Sequence, residues 1–259
     1  MSDAPAARNA YRIAVRIAEP ALWFAGLLLL WQIIVRALDV PLFVLPAPSD
    51  FLYRIATDHQ RLLYEGLITT RLVIYGFIAG AIPGVILGYL IANVRIFEQL
   101  LYPLFVFIQG MPKITLAPLM LVWFGYSTFP KILLTALITF FPVLVDSVAG
   151  FKSVDPRLYY LSRSTGASHW QTFWKIQLPS AAPSIFSGFK ITIVVAVTVV
   201  IVVEWLNSNN GLGYVVLRAM DSHDTSLIFA TLVVASMIGV FLSYAIVLIE
   251  RVAIPWRRH

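Results

Sequence analysis

The chain alternates long apolar runs with shorter polar stretches. Apolar segments lie near 20–38, 66–92, 99–124, 130–150, 183–206 and 226–249. Each is close to the roughly 20 residues that a helix needs to cross a bilayer. None shows the alternation of a membrane β-barrel strand. Backbone groups in lipid must be satisfied inside the segment, so these runs predict helices. The expected fold is an all-α polytopic membrane protein with about six transmembrane helices. The first run follows Arg8, Arg12 and Arg16, much as in a signal peptide. No convincing small-residue cleavage site follows, and it reads as an uncleaved first helix.

The polar stretches have their own logic. In 39–65, Pro41, Pro46 and Pro48 stiffen the chain, and Ser49 with Asp50 suits the cap of a short surface helix. Segment 151–182 predicts two short helices. Asp155-Pro156 reads as an N-cap followed by a first-turn proline, opening a helix to about Thr165. Gly166 is placed to end it in a left-handed conformation. Ser168 then caps a second helix near His169–Ile176. Pro179 and Pro183 are expected to break the chain's path and turn it back into the next span. Trp170, Phe173 and Trp174 supply apolar anchors, and Arg163 and Lys175 supply charge. Such anchors suit a protein-docking knob and equally an amphipathic helix resting in lipid headgroups.

Charge sets the orientation. With the N-terminus inside, the inner segments hold Arg8, Arg12, Arg16, Arg95, Lys152, Arg157, Arg163, Lys175, Arg251, Arg257 and Arg258. The outer ones hold Arg54, Arg61, Arg218 and Lys131. Cytoplasmic loops retain Lys and Arg. Both termini and segment 151–182 are therefore expected in the cytoplasm, with the chain in the cell (inner) membrane. Only 12% of the 259 residues are charged and 59% are hydrophobic, against about 25% charged in soluble domains. The net charge of +6 fits retention at the inner face, and no nucleic-acid partner is expected. The absence of cysteine excludes disulfides, thiol catalysis and thiolate metal sites. His59, His169, His223 and His259 lack metal-ligand spacing. No Gly-rich Gly-Lys-Ser/Thr phosphate loop is present, so the chain is not read as an ATPase or as an enzyme on its own.

Ionisable groups within spans are functional candidates. The uncharged run Ile191–Val203 is bracketed by Lys190 and Glu204. Lys190 is expected to snorkel toward the cytoplasm. Glu204, followed by Asn207, suits an outer gate or a structural hydrogen-bonding role. The third run is broken by Pro103, Pro112 and Pro118 around Gln109-Gly-Met111-Pro-Lys113-Ile-Thr115. Non-helical backbone at membrane depth is tolerated where it lines a cavity. Gln109, Met111, Lys113, Thr115, Glu204 and Asn207 are therefore the candidate translocation path. Gly76, Gly80, Gly84 and Gly88 form one small-residue face, expected to pack within the subunit, with packing at a dimer interface as the alternative.

Several motifs together resemble the permease subunits of ATP-binding-cassette (ABC) importers. Gly166 is followed by Ile176, Leu178 and Pro179 at the spacing of that family's signature loop. Leu116-Ala-Pro-Leu-Met-Leu-Val-Trp-Phe-Gly125, Val154-Asp-Pro-Arg157 and Gly211-Leu-Gly-Tyr214 are similar to the branch for nitrate, bicarbonate, taurine, sulfonates and pyrimidine precursors. The resemblance spans roughly 65–250. Tyr160-Leu161-Ser162 stands where the family has Glu-Ala-Ala.

The resemblance implies a type I ABC importer permease architecture and a two-fold dimer, simplest as a homodimer in membrane lipid. It implies a cytoplasmic ABC ATPase dimer and an external substrate-binding protein as partners. No cofactor is expected on this chain, with ATP and Mg on the ATPase. The coupling residues carried over are Arg163, Gly166, Ala167, Ser168, Trp170, Phe173, Ile176, Leu178 and Pro179. The expected organisation is 1–65 (N-terminal segment, first helix and outer loop), 66–250 (permease core) and 251–259 (tail). The substrate would be a small anion or a small aromatic or pyrimidine compound. A stand-alone secondary transporter or channel is the rival reading, and a membrane scaffold a second one. A lone carrier has no need of the polar knob.

Overall fold

The computed structural model describes residues 4–256, with side chains for 19 and for 22–256 apart from 207. The side chains of Arg8, Arg12, Arg16 and Asn207, and all of Arg257, Arg258 and His259, lie outside the described set. Every regular element among the described residues is helical. Four helices are long and apolar enough to cross a membrane: α3 (His59–Asn93), α6 (Thr128–Lys152), the run His169–Leu206 and α11 (Thr225–Ala253). The apolar stretch Leu22–Ala37 of α1 (Ala4–Ala37) is shorter. The third expected span is a bent pair. Helix α4 (Arg95–Gln109) meets Lys113–Phe124, which ends in α5 (Ala117–Phe124), at 80°. The break falls at Gly110–Pro112, where the sequence placed it.

The described chain forms two compact units. One runs to His59 and includes Arg218–Thr231, and the other holds Gln60–Leu217 and the residues from Leu232 on. In the first, Trp31, Phe51 and Phe229 form an aromatic cluster with centroids 5.5–6.2 Å apart. Short helix α2 (Pro48–Thr57) opens with Pro48, and Asp50 accepts from the Ala47 N–H at 3.0 Å. The cap is thus the acid in the first turn, not Ser49. Ser49 instead exchanges hydrogen bonds with Gln32. Arg54 binds Asp224 at 2.8 Å.

The second unit is built on close helix contacts. A Cβ at Gly76 would lie 2.5 Å from Cβ of Thr135, and one at Gly88 2.5 Å from Cβ of Ser147. One at Gly84 would meet Val143 and the Phe140 carbonyl at 3.0 Å. The glycine face of α3 therefore seats α6, as expected for packing within the subunit. Leu72, Val73, Ile193, Ala196, Val200 and Leu242 then join α3, α11 and α9 (Leu178–Asn207) in one core cluster. Lys190 does not snorkel. Its Nζ donates to Glu250 at 2.8 Å, and that carboxylate is buried. An opposite charge within reach outcompetes the climb to water.

Gly88→Leu should lower the thermal unfolding midpoint in detergent by an amount equal to about 1–3 kcal/mol, the usual cost of overpacking. Gly26→Ala, where nothing lies within 4 Å, should leave it unchanged. Equal effects would show that the α3–α6 contact is not tight.

Candidate functional site

Segment 151–182 folds by local rules. Asp155 caps α7 (Pro156–Ser164), accepting from the Arg157 N–H at 2.8 Å. The helix closes in a Schellman motif. The Ala167 N–H reaches the Ser162 carbonyl at 3.0 Å and the Gly166 N–H the Arg163 carbonyl at 3.1 Å. Gly166 sits at φ +70°, where L-residues are strained. Ser168 and Gln171 then form a capping box, with bonds of 3.2 and 2.9 Å. This starts α8 (His169–Thr172).

The prolines act differently from expectation. A π-helical turn, Phe173–Gln177, carries α8 directly into α9, so His169–Leu206 is one helical run. The Leu178 N–H bonds back to Phe173, five residues earlier. Pro179 follows immediately, in the first turn of α9, where a missing N–H costs little. The widened turn thus absorbs one proline, and Pro183 sits inside the helix. Proline is tolerated in membrane helices because neighbouring groups hold the backbone.

The elbow is stapled to the ends of α3 and α6. Phe173 packs on Tyr89 at 4.8 Å and Phe151 at 6.4 Å. Gln177 donates to Asn93 at 3.0 Å and to the Tyr159 hydroxyl at 3.1 Å. The Ser162 and Thr172 hydroxyls meet at 2.5 Å. Ile176, Leu178 and Pro179 are half-buried. Trp170 is 68% exposed, Trp174 50%, and Arg163, Gly166, Ser168, His169 and Lys175 are exposed with them. Ala167 is intermediate. Tyr160, in place of the family's acid, is 72% exposed. The result is a braced aromatic and basic projection, suited to docking a protein.

The far end of α9 carries a buried polar cluster. Glu204 has no exposed surface. It accepts from Thr69 Oγ1 at 2.8 and 3.0 Å and from the Gly213 N–H at 3.0 Å. Glu65 accepts from the Gly211 N–H, and Thr69 Oγ1 from the Leu212 N–H at 2.8 Å. Two carboxylates and a threonine therefore satisfy the N-terminal N–H groups of α10 (Leu212–Asp221). A Cβ at Gly211 or Gly213 would run into Glu204, so the Gly-Leu-Gly sequence is a demand of this contact. Of the two roles read for Glu204, this geometry is the hydrogen-bonding one.

Gln109, Met111, Lys113 and Thr115 gather at the bend. Lys113 Nζ donates to the Gln109 carbonyl at 2.8 Å and lies 4.6 Å from the Phe141 ring centroid. Met111 is 53% exposed. Among the described residues, no hydrogen bond or ion pair joins the bend to Glu204. Sequence reasoning missed Thr69, Gln177, Asn93 and Glu250. Only Glu250, a lone acid in an apolar run, carried a signal.

Residues 84–258 match the family described as "Binding-protein-dependent transport system inner membrane component". The chain belongs to this family. The permease is 35% identical over 242 residues to the formylaminopyrimidine transport permease of Halalkalibacterium halodurans, covering 93% of this chain and 96% of that one. It is 30% identical over 247 residues to a putative aliphatic sulfonates transport permease of Bacillus subtilis, covering 91% and 88%. An inward-facing structure of the MetNI methionine ABC transporter shares the fold, at TM-score 0.63 and 18% identity, over 75% of this chain and 96% of that one. The protein is the membrane permease subunit of an ABC importer, with ATP hydrolysis in a separate subunit. Membership sets aside the lone-carrier and scaffold readings.

Glu204→Gln should cost about 1–3 kcal/mol, the penalty of a mispaired buried group. Gly213→Ala, whose methyl would lie 2.6 Å from Glu204 Cβ, should cost a similar amount. Thermal unfolding of the purified permease checks both. Unchanged midpoints would mean that other contacts hold α10.

Proposed function

We propose that the elbow is the coupling element of this permease and that its exposed face docks in a groove of the cytoplasmic ATPase. Arg163, Gly166, Ala167, Ser168, Trp170, Phe173, Ile176, Leu178 and Pro179 build it. The observation that carries the reading is the unbroken helix from His169 to Leu206. It links the projection to the Glu204 end over about 57 Å at the helical rise. Nucleotide binding on the ATPase, with Mg, would move the tryptophans, and α9 would pass that motion across the membrane.

On this reading both termini are cytoplasmic and two copies of the chain assemble. Residues 66–250 form the permease core, flanked by 1–65 and the tail 251–259. The bend at Gln109–Thr115, with Met111 and Lys113, lines the translocation path beside the Glu204 and Asn207 end of α9. The substrate is a small anion of the sulfonate, taurine, nitrate or bicarbonate kind, or a small pyrimidine. The names of the relatives support both classes.

Trp170→Ala should weaken the permease–ATPase complex by about 2 kcal/mol, roughly 30-fold in Kd, as for an aromatic hot spot. Gly166→Val should suppress permease-dependent ATP hydrolysis while membrane insertion persists. Titration of the ATPase onto permease in nanodiscs measures the first, and a phosphate-release assay the second. Wild-type behaviour of both variants would sink the coupling role.

A further inference from the structure

A small cavity of about 170 Å³ opens where the start of α6 meets the turn between α9 and α10. Its lining includes Ser127, Thr128, Lys131, Ser208, Asn209 and Asn210. Lys131 is only 7% exposed. Its ammonium has three N–H donors, and Ser208 Oγ accepts one of them at 2.7 Å. No acid among the described residues forms an ion pair with it. Glu204 attracts it through space but makes no direct bond to it, since its oxygens accept from Thr69 and Gly213. A buried ammonium without a paired acid is expensive.

The start of α6 adds a second, independent attraction. Ser127 holds the N-cap position but makes no capping bond. Its hydroxyl turns to the Phe124 carbonyl instead. The first turn of a 25-residue helix is thus left without a side-chain acceptor. Such an end attracts anions through its free N–H groups and its dipole.

We propose that this cavity binds a small oxyanion, of sulfonate, nitrate or bicarbonate size, between the Lys131 ammonium and the first turn of α6. The volume lies below the roughly 300 Å³ at which pockets for drug-sized ligands begin, so only a small ligand fits, and the ammonium with the helix start selects an anion over a neutral ring of similar size. The cavity sits at the opposite end of α9 from the elbow. Identifying the anion as transported substrate rests on the importer function and narrows the two substrate classes to the anionic one.

The competing account is a plain tether, in which the Lys131–Ser208 bond merely joins α6 to the turn. Two variants separate them. In a tether, Lys131→Met and Ser208→Ala remove the same bond and act alike. In an anion site, Ser208→Ala leaves the ammonium in place, and Lys131→Arg keeps its charge.

The permease–ATPase complex in phosphatidylcholine nanodiscs is heated with methanesulfonate, with sodium chloride at equal ionic strength, and with neutral 4-amino-2-methylpyrimidine. Methanesulfonate at 100 times its Kd should raise the unfolding midpoint, by the stabilisation expected from mass action. Chloride and the pyrimidine should not. The shift should vanish in Lys131→Met and persist in Lys131→Arg and Ser208→Ala. Absence of the shift, its equal loss in Lys131→Met and Ser208→Ala, or its survival in Lys131→Met would overturn the proposal. A shift abolished by phosphatidylglycerol in the nanodiscs would assign the cavity to a lipid headgroup and overturn it as well. ATP hydrolysis by the same complex reads the importer function separately, so either claim can fail alone.

Discussion

Hydrocarbon offers no water, so each helix end and each polar side chain near it must find its partners within the protein. Helix α9 is where this constraint organises most of the second unit. At its start, Gln177 ties the elbow to Asn93 of α3 and to Tyr159 of α7. At its end, Glu204 collects the hydroxyl of Thr69 and the N–H of Gly213. Between those ends Lys190 pairs with Glu250 of α11, and the core contacts to α3 and α11 are made by Val, Ile and Ala. Polar bonds fix the two ends, one ion pair ties the middle to α11, and dispersion fills the rest.

That division explains why certain residues are small. Gly211 lies where the Glu204 carboxylate approaches the backbone, and any side chain there would displace it, while Gly213 lies against the Ile201 carbonyl and Trp205 amide of α9. Gly80 and Gly88 lie where α6 approaches α3, and there the obstacle is another helix. One residue type meets two demands, access for an acceptor and access for a packed neighbour. Gly166 meets a third, since nothing crowds its missing Cβ and only its positive φ calls for glycine.

The sequence disclosed what depends on neighbours along the chain. Gly166 as a helix stop, Ser168 as a cap and Asp155-Pro156 as a helix start are local chemistry, and each stands as read. So does the break between Gln109 and Lys113. What stayed hidden depends on partners far away. Glu204 finds Thr69 across 135 residues, and Lys190 finds Glu250 across 60. Hydropathy marks such charges as unusual but does not say what answers them. The prolines at 179 and 183 failed for another reason. The rule that proline ends a helix assumes regular i→i−4 bonding, and a π turn had already changed the pattern before Pro179. Ser49 was outcompeted by Asp50, whose carboxylate is the stronger acceptor for an N–H.

The π turn also bears on transmission. Such turns recur inside helices at functional sites because they trade one regular bond for a local change of direction. Here the turn carries Trp174 itself and lies between Trp170 and a helix that is gripped. Phe173, its first residue, packs against Tyr89 and Phe151. It also contacts Trp170 at 5.9 Å and Trp174 at 5.3 Å. A force on the tryptophans therefore reaches α3 and α6 through one ring and α9 through the backbone. Because α9 ends in Glu204, a rotation or shift of that helix must either carry α10 with it or break buried hydrogen bonds to Gly213 and Thr69. Breaking them inside the membrane leaves a carboxylate unpaired, so motion with α10 is the less costly course. On the coupling reading, the same burial that stabilises the cluster converts a push at the elbow into movement at the other end of the helix.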